Sequence, residues 1–272
     1  MIVPKNPHLD LSAIADSGQC FRWRKQGNGY VIPALGRVLR IRETPGGALE
    51  LHCTEEEYAL LWRAYFDLDT DYGAMAAVLP REDGYLRAAA AYGQGIRILR
   101  QDPWETLVTF LISQRKNIPA IRQAVEKLCL TVGRVIETDE EGPLYAFPSP
   151  AELKRLGEDG LRACGLGYRA PYVLRAAEMF SGEDLNGFCS LDDEALLQAL
   201  CALHGVGPKI AKCVMLFGFH RLNAFPVDVW IQRVEEKRYP GGIHPEQFAP
   251  FAGVMQQYMY AYERHLESAH RG

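Results

Sequence analysis

A short glycine-containing segment, Leu203 to Lys209, holds the residues of this sequence with the clearest chemical potential. It reads Leu-His-Gly-Val-Gly-Pro-Lys and lies between two stretches with helical periodicity. Gly205 and Gly207 lack a Cβ, so the turn can reach positive φ and present backbone amides to a phosphate. A plain turn between two helices would use the same residues, so this pattern alone is weak evidence for a binding site.

Lys209 stands at the start of the second predicted helix, where the helix dipole disfavours the charged ammonium form. A neutral amine can attack a sugar carbon and form a Schiff base after the sugar ring opens. Asp228, which ends the segment Pro226-Val227-Asp228, could stabilise an oxocarbenium-like sugar as carboxylates do in glycoside hydrolysis. Most such lysines are surface residues and most such aspartates are helix caps, so each residue alone keeps a structural interpretation.

The composition is that of a globular protein. The chain has 272 residues, of which 48% are hydrophobic and 24% charged, enough for two or three packed units. The apolar runs are too short to span a bilayer, and the N-terminus has no signal-peptide pattern. The net charge of −4 argues against non-specific coating of nucleic acid but allows a few phosphates to be held by amides and a local basic patch. The seven cysteines form no CxxC pair, so we expect reduced thiols, a cytoplasmic protein and no metal site.

The elements that would position these residues change type along the chain. Residues 1 to about 80 read as mainly β, with a hairpin signal at Asn28-Gly29 and a helix opening at Thr54. From about residue 81 the pattern is helical. Ser190 and Asp193 resemble a capping box ahead of a helix over 191–203, and Asp228 is a natural N-cap. The last helix is predicted over roughly 245–266.

Several separated motifs together resemble one enzyme family. Leu203 to Lys209, followed by Ala224 to Asp228, resembles the helix–hairpin–helix and Gly/Pro/Asp signature of a DNA glycosylase superfamily, and the 8-oxoguanine DNA glycosylase branch is most similar. Further motifs resemble that branch in the same order, namely residues 17–23, 99–103, 165–170 and 227–229. The lack of a cysteine cluster after Cys213 separates this chain from the iron–sulfur branch.

The resemblance implies an α+β fold, with an N-terminal antiparallel β-sheet domain followed by two mainly helical domains. We place the sheet domain at residues 1–80. The helical domain with the helix–hairpin–helix motif is placed at 104–222. Residues 81–103 and 223–272 would form the helical domain that completes the base pocket.

The resemblance also implies a bifunctional DNA glycosylase and AP lyase, which excises 8-oxoguanine and formamidopyrimidine from duplex DNA. Lys209 would be the Schiff-base nucleophile and Asp228 the catalytic carboxylate. Oxidation turns N7 of guanine into an N–H donor, and by resemblance the carbonyl of Gly18 receives it. A site built on one such hydrogen bond discriminates strongly, because guanine leaves a buried group unpaired.

The remaining substrate-binding positions follow from the same resemblance. Cys213, four residues after Lys209 and so on the same helix face, would stack on one face of the base. Tyr260 would stack on the other face, where the family usually has phenylalanine. Gln256 would read the Watson–Crick edge. Periodicity alone would make Gln256 and Tyr260 ordinary helix residues.

The predicted DNA contacts include two departures from the family pattern. Tyr168 would wedge into the gap left by the flipped base, and Arg169 would contact the opposite strand. Arg115 and Asn117 stand where human-type enzymes have the first and last of three asparagines. A family arginine that reads the opposite cytosine is replaced by Ala120, so we expect a relaxed preference for cytosine.

A further departure concerns the phosphate contacts, to which Gly205 and Gly207 would contribute amides. Trp230 stands where a phosphate-contacting histidine is common, so that contact is lost, becomes an indole N–H contact or gives way to core packing.

Two alternative functions remain open at this stage. A monofunctional alkylpurine DNA glycosylase would keep the aspartate but lack Lys209, and a non-catalytic helix–hairpin–helix DNA-binding protein would need neither residue. We expect no cofactor, although the superfamily often holds a structural monovalent cation beneath the hairpin carbonyls. The expected partner is double-stranded DNA containing oxidised guanine. We expect no membrane association, a monomer, and a cytoplasmic location, associated with the nucleoid in a bacterium.

Overall fold

A computed structural model describes residues 1–77, 79–80, 82–182 and 185–269. An antiparallel sheet of five strands lies near the N-terminus, in the spatial order β1-β5-β4-β3-β2. Its members are β1 (Ile2–Val3), β2 (Arg24–Gln26), β3 (Gly29–Ala34), β4 (Arg37–Glu43) and β5 (Leu49–Leu51). Leu39 and Ile41 of β4 alternate with polar residues and are buried on one face of the sheet. The α+β fold class and the N-terminal antiparallel sheet are confirmed.

The first 80 residues also contain helices, so the prediction of a mainly β segment was too simple. These are α1 (Leu11–Asp16), α2 (Glu55–Glu57), a π-helical turn (Tyr58–Trp62), α3 (Arg63–Tyr65) and α4 (Tyr72–Ala77). Thr54 caps α2 as predicted, because its side chain accepts a hydrogen bond from the amide of Glu57 at 3.0 Å. Trp62 and Phe66 pack beneath the sheet with Trp23 in the first hydrophobic core. A sheet of short strands needs such a covering layer to bury its apolar face.

The rest of the chain is helical and encloses the second hydrophobic core. Its helices are α5 (Gly84–Tyr92), α6 (Pro103–Ser113), α7 (Ile118–Val132), α8 (Pro150–Ala163), α9 (Ala170–Phe180), α10 (Asp193–Cys201), α11 (Pro208–Phe217), α12 (Val229–Arg238) and α13 (Ala252–Ala269). A hairpin of β6 (Val135–Asp139) and β7 (Gly142–Tyr145) lies between α7 and α8. Helix α6 is buried along almost its whole length and contacts α7, α9 and α11, as its apolar sequence predicted. Within the described ranges, no helix has the length and apolarity needed to cross a membrane.

Two predicted helix starts were wrong. The residue that caps α10 is Asp192, whose carboxylate accepts a hydrogen bond from the amide of Ala195 at 2.8 Å. The proposed pair Ser190 and Asp193 is therefore displaced from the true cap. The last helix begins at Ala252, because residues 245–248 form a separate 3₁₀ turn and Ala249 is extended ahead of Pro250.

A buried charge network joins the N-terminal part of the chain to the end of α11. The carboxylate of Asp67, 1% exposed, accepts two hydrogen bonds from Arg100, from Nε at 3.0 Å and from Nη2 at 2.8 Å. His220, which follows α11, has its Nε2 3.2 Å from Asp67 Oδ2 and 3.2 Å from the carbonyl oxygen of Ile98. Both neighbours of Nε2 are acceptors, so this nitrogen carries the proton.

Burial alone would raise the pKa of Asp67, but the hydrogen bond from His220 and the charges of His220 and Arg100 hold it below its ordinary 3.8. We expect Asp67→Asn to lower the free energy of unfolding by about 2–3 kcal/mol at pH 7, measured by urea denaturation. Asparagine tolerates the left-handed backbone of this position (φ 51°), so the loss isolates the charge.

The pH dependence of this loss has a defined sign. A carboxylate with a lowered folded-state pKa stabilises the fold above its unfolded pKa, and the contribution is lost as the pH falls through the folded pKa. The difference between wild type and Asp67→Asn should therefore narrow as the pH falls below about 4. Asp69→Asn is the matched control, because Asp69 is 67% exposed in its pair with Arg63 and should change stability by about 0.5 kcal/mol or less. Equal effects of the two substitutions would contradict this account of the network.

Candidate active site

In the turn between α10 and α11, Gly205 has the positive φ that was expected, whereas Gly207 does not. Gly205 has φ 85°, and a Cβ added there would lie 2.4 Å from the ring of Tyr172. Gly207 has φ −96°, so the expectation of positive φ was wrong at this position. It is instead the N-cap of α11, and no side chain among the described residues caps this helix. The first amides of α11 are thus left for water or an anion, as a phosphate site requires.

One cavity of about 810 Å³ brings together residues from five segments of the chain. It lies where the segment 17–21 meets α11, the start of α12, α13 and the segment between α6 and α7. Nine residues named from the sequence line it, namely Gly18, Arg115, Asn117, Lys209, Cys213, Asp228, Trp230, Gln256 and Tyr260. Tyr168, Arg169, Gly205 and Gly207 are not among the residues that line this cavity.

Lys209 is the second residue of α11 and lies against an aromatic wall. Its Nζ is 6.0 Å from the centroid of the Phe110 ring, which stacks on Phe217 at 5.5 Å with an interplanar angle of 11°. Among the ion pairs of the described residues, none includes Lys209. Lys209 lines the cavity and is exposed, so its amine is accessible to a ligand that enters there.

Asp228 is held by the start of α12, as predicted. Its Oδ1 accepts hydrogen bonds from the amides of Trp230 and Ile231, both at 3.0 Å. The carboxylate is thus fixed at a helix N-terminus while it lines the cavity. The same side chain thus caps α12 and lines the cavity.

The charges of Lys209 and Asp228 both affect the pKa of the buried Cys213 thiol. Burial raises the pKa of the Cys213 thiol to about 11, while the charge of Lys209 lowers it and that of Asp228 raises it. Both charges therefore act on the same buried sulfur. Lys209 and Cys213 line one cavity, so their predicted placement on one face of α11 is confirmed.

The turn that carries Gly18 is held rigidly from beneath. Gly18 has φ 76°, and a Cβ there would lie 3.0 Å from the hydroxyl of Tyr260. The buried amide of Gln19 donates hydrogen bonds to Ser17 Oγ and to the carbonyl of Arg97, each at 2.8 Å, and accepts one from the amide of Leu99 at 2.8 Å. Because every amide atom of Gln19 is used, the backbone at Gly18 is fixed before a ligand arrives.

Arg264 connects Tyr260 to the N-terminal part of the chain, a role that sequence reasoning missed. Its Nη1 donates hydrogen bonds to the Tyr260 hydroxyl at 3.3 Å and to the carbonyl of Asp16 at 2.9 Å. Its guanidinium also lies 5.2 Å from the centroid of the Tyr260 ring. Helix α13 is thereby tied to the end of α1, directly before the Gly18 turn. The spacing of Tyr260 and Arg264 indicated a shared helix face, but no local pattern pointed to Asp16.

Two neighbouring glutamines of α13 form the floor of the cavity. Gln256 and Gln257 are 2% and 3% exposed, and both line the cavity. Gln257 Nε2 donates a hydrogen bond to Gln256 Oε1 at 2.9 Å. Gln257 Oε1 is buried and has no hydrogen-bond partner among the described residues. Gln256 was predicted as a base contact, whereas Gln257 was not.

Comparison with known proteins agrees with this geometry. The family model described as the N-terminal domain of 8-oxoguanine DNA glycosylase matches residues 1–107. The model of the HhH-GPD superfamily of base excision DNA repair proteins matches residues 108–241. The 8-oxoguanine glycosylase/lyase of Clostridium acetobutylicum, solved with double-stranded DNA containing cytosine opposite 8-oxoguanine, is 33% identical with a TM-score of 0.91, over 98% of this chain and 95% of that chain. This chain belongs to the 8-oxoguanine DNA glycosylase family.

Two curated relatives of this chain are longer than the segments that match it. The N-glycosylase/DNA lyase of Saccharomyces cerevisiae is 36% identical over 160 residues, which are 54% of this chain and 42% of the yeast protein. The N-glycosylase/DNA lyase OGG1 of Arabidopsis thaliana is 30% identical over 240 residues, which are 83% of this chain and 65% of the plant protein. The chain thus spans less than two thirds of either relative. The family resemblance predicted from the motifs is confirmed.

Of the two residues predicted to contact DNA at the gap left by the flipped base, one is exposed and one is buried. Tyr168 is 46% exposed, as an intercalating ring must be. Arg169 is only 6% exposed, and its guanidinium donates hydrogen bonds to the carbonyl of Gln114, from Nε at 2.7 Å and also from Nη2. The expected direct contact of Arg169 with DNA therefore does not match its placement here. Its charge lies 4.2 Å from the centroid of the Tyr168 ring and supports that ring instead.

The three polar side chains between α6 and α7 have different environments. Arg115 is exposed and has φ 52°, a left-handed conformation that is rare outside glycine. Asn117 is the N-cap of α7, because its side chain accepts a hydrogen bond from the amide of Ala120 at 2.9 Å. Sequence reasoning missed Lys116, which lines the cavity and whose pKa is lowered by partial burial and by the charge of Arg169. The DNA contacts of Arg115 and Asn117 stay predictions.

Trp230 lines the cavity, and its ring contacts the guanidinium of Arg233 on the same helix. The guanidinium of Arg233 lies 4.8 Å from the centroid of the Trp230 ring, and its Nη1 donates a hydrogen bond to Glu267 Oε1 at 2.9 Å. The family's phosphate-contacting position is thus occupied by an indole with an arginine beside it.

Proposed function

We propose that this glycosylase excises 8-oxoguanine and formamidopyrimidine from duplex DNA and then cleaves the abasic site by Schiff-base chemistry. The observation that carries the proposal is the convergence of Lys209, Cys213 and Asp228 with Gly18 and Gln256 in one cavity. A cavity of about 810 Å³ is large enough to enclose a single flipped base.

The reaction begins when the damaged nucleotide leaves the stack and its base enters the cavity. The Lys209 amine attacks C1′, the glycosidic bond breaks, and its electron pair leaves with the base, which is released after protonation. The Asp228 carboxylate stabilises the positive charge that develops on the sugar. Loss of a proton from the lysine nitrogen and opening of the sugar ring then give a protonated Schiff base between Lys209 and C1′.

The strand is cut in the second half of the reaction. The Schiff base acidifies C2′, so a proton leaves C2′ and the C3′–O bond breaks with departure of the 3′ phosphate. Water then hydrolyses the Schiff base, which restores the Lys209 amine and releases an unsaturated aldehyde on the DNA. The net change is hydrolysis of one glycosidic bond and β-elimination of one phosphate.

Borohydride trapping on a duplex containing 8-oxoguanine tests the proposal directly. Reduction of the Schiff base should join the wild-type protein covalently to the DNA. A monofunctional alkylpurine glycosylase would release base without an adduct and would favour alkylated purines. A non-catalytic helix–hairpin–helix protein would bind DNA and yield neither product. Absence of a trapped adduct with wild type would reject the proposed lyase.

The opposite base should be read only weakly. Ala120 has no hydrogen-bonding side chain, and a bidentate contact to a base is worth about 1–3 kcal/mol of discrimination. We therefore expect excision opposite adenine, guanine or thymine to fall by about tenfold or less relative to cytosine, in single-turnover assays. Arg115→Ala should weaken DNA binding for all four opposite bases alike. A fall of several orders of magnitude away from cytosine would mean that another residue reads it strictly.

Three further properties belong to the same proposal. We propose that the protein acts as a monomer in the cytoplasm, on the nucleoid if it is bacterial. A monovalent cation beneath the hairpin carbonyls stays a proposal. The described part of the chain holds no group of three or more His, Cys, Asp or Glu side chains arranged to bind a metal ion.

A further inference from the structure

The buried side-chain oxygen of Gln257 has no hydrogen-bond partner in the part of the chain that the structure describes. It lies in the cavity wall, next to a residue implicated in reading the base. Burial of an acceptor without a partner is costly, so native proteins rarely leave one without a ligand or water to satisfy it. The oxygen is therefore available to accept a hydrogen bond from a donor in the cavity.

The bond between the two glutamine amides determines what the pair can offer. Each amide has one oxygen acceptor and one NH₂ donor. The internal bond uses the Gln257 NH₂ group and the Gln256 oxygen. What remains for a ligand is the NH₂ group of Gln256 and the oxygen of Gln257. If both amides were turned over, the pair would again present one donor and one acceptor, so the count does not depend on how the amides are assigned.

We propose that Gln257 is a second base-reading residue and that it accepts the N1–H of the flipped guanine-type base. This inference rests on the proposed excision of 8-oxoguanine and deepens it. The Watson–Crick edge of 8-oxoguanine presents the O6 acceptor beside the N1–H donor. Gln256 Nε2 donates to O6 and Gln257 Oε1 accepts from N1–H, so the two amides match this edge as a pair.

The internal bond also explains why both residues are needed. It holds the two amides in one relative orientation, so neither has to be ordered when the base enters. An adenine-type base has a donor at N6 and an acceptor at N1. The Gln256 donor would then face a donor and the Gln257 acceptor would face an acceptor, so neither hydrogen bond could form. Gln257 would therefore contribute to discrimination between 8-oxoguanine and 8-oxoadenine, a distinction that the N7–H readout at Gly18 cannot make because both oxidised bases carry that donor.

Gln257→Met tests the inference, because methionine keeps the length of the side chain and removes both amide groups. Excision is measured under single-turnover conditions on duplexes containing 8-oxoguanine or 8-oxoadenine, and strand cleavage is measured on a duplex with a preformed abasic site. Gln198→Met is the matched control, since Gln198 is exposed on α10 and donates only to Glu194 at 3.4 Å.

We expect Gln257→Met to slow 8-oxoguanine excision by about tenfold or more. The preference for 8-oxoguanine over 8-oxoadenine should fall with it, while abasic-site cleavage and the melting temperature stay at the wild-type values. Gln198→Met should leave all four measurements unchanged. Unchanged excision by Gln257→Met, or an equal fall in excision and abasic-site cleavage, would overturn the inference. Failure of the wild type itself to excise 8-oxoguanine would overturn the proposed function, and this inference with it.

Discussion

Lys209→Gln is expected to abolish the borohydride-trapped adduct and to slow excision of 8-oxoguanine by roughly 10³-fold or more. Glutamine has no nucleophilic amine, so neither attack on C1′ nor a Schiff base is possible. The substitution removes no ion pair among the described residues, and the Lys209 side chain is exposed, with its Nζ 6.0 Å from the centroid of the Phe110 ring. Stability and cavity shape should therefore be retained. Trapping yield on gels and single-turnover rates are the measurements.

The control for this substitution is Lys212→Gln on the same helix. Lys212 is half-buried on α11 and does not line the cavity. Lys212→Gln and Lys209→Gln change the net charge by the same amount. A loss of excision caused only by weaker attraction to DNA would therefore appear in both variants. A trapped adduct of undiminished yield with Lys209→Gln would mean that another amine is the nucleophile.

Asp228→Asn is the second substitution with a large expected effect, and it separates chemistry from helix capping. We expect excision to slow by roughly 10²-fold or more, because the neutral amide no longer stabilises the positive sugar. Asparagine caps helices as well as aspartate does, so its side-chain oxygen can still accept from the amides of Trp230 and Ile231. The free energy of unfolding should therefore change by only about 0.5 kcal/mol. Single-turnover excision and urea denaturation measure the two effects.

Asp228→Ala, compared with Asp192→Ala at the cap of α10, separates the loss of the helix cap from the loss of the charge. Alanine removes both the charge and the cap, so we expect the same loss of excision together with about 1 kcal/mol of lost stability. Asp192 caps α10 in a comparable way, accepting from the amide of Ala195 at 2.8 Å, but lies outside the cavity. Asp192→Ala should lose similar stability and keep full excision. Full excision by Asp228→Asn would contradict a catalytic role for the carboxylate.

Nine residues that line the cavity could be named from the sequence because their types and order along the chain are specific. Lys209 and Cys213 are one helical turn apart, so local geometry already fixed their relative placement. Asp228 could be predicted as the cap of the next helix, whereas its approach to Lys209 depends on the tertiary fold. The position of Gly18 opposite Tyr260 joins residues far apart in the chain, and only the family resemblance brought them together. The resemblance also implied that Arg169 contacts DNA, but a buried bond to the Gln114 carbonyl occupies it in this structure.

Other features could not be predicted from local patterns. Ser190, Asp192 and Asp193 are all good cap residues, so composition could not decide which one begins α10. The Asp67–His220 pair is formed by residues in separate regions of the chain, and its partners are known only once the fold is formed. Gln257 was overlooked because a residue next to Gln256 on a helix points about 100° away, and nothing in the sequence shows that both directions meet the cavity.

The buried thiol of Cys213 has a consequence for durability under oxidative stress. With a pKa of about 11, only about one molecule in ten thousand carries the thiolate at pH 7, and peroxides react with the thiolate. If the protein acts on oxidised bases as proposed, it encounters the same oxidants that produce them. We therefore expect the Cys213 sulfur to resist sulfenic acid formation, whereas the exposed Cys189, away from the cavity, lacks this protection by burial. The sulfur that lines the same cavity as Lys209 can thus keep its chemical form under oxidising conditions.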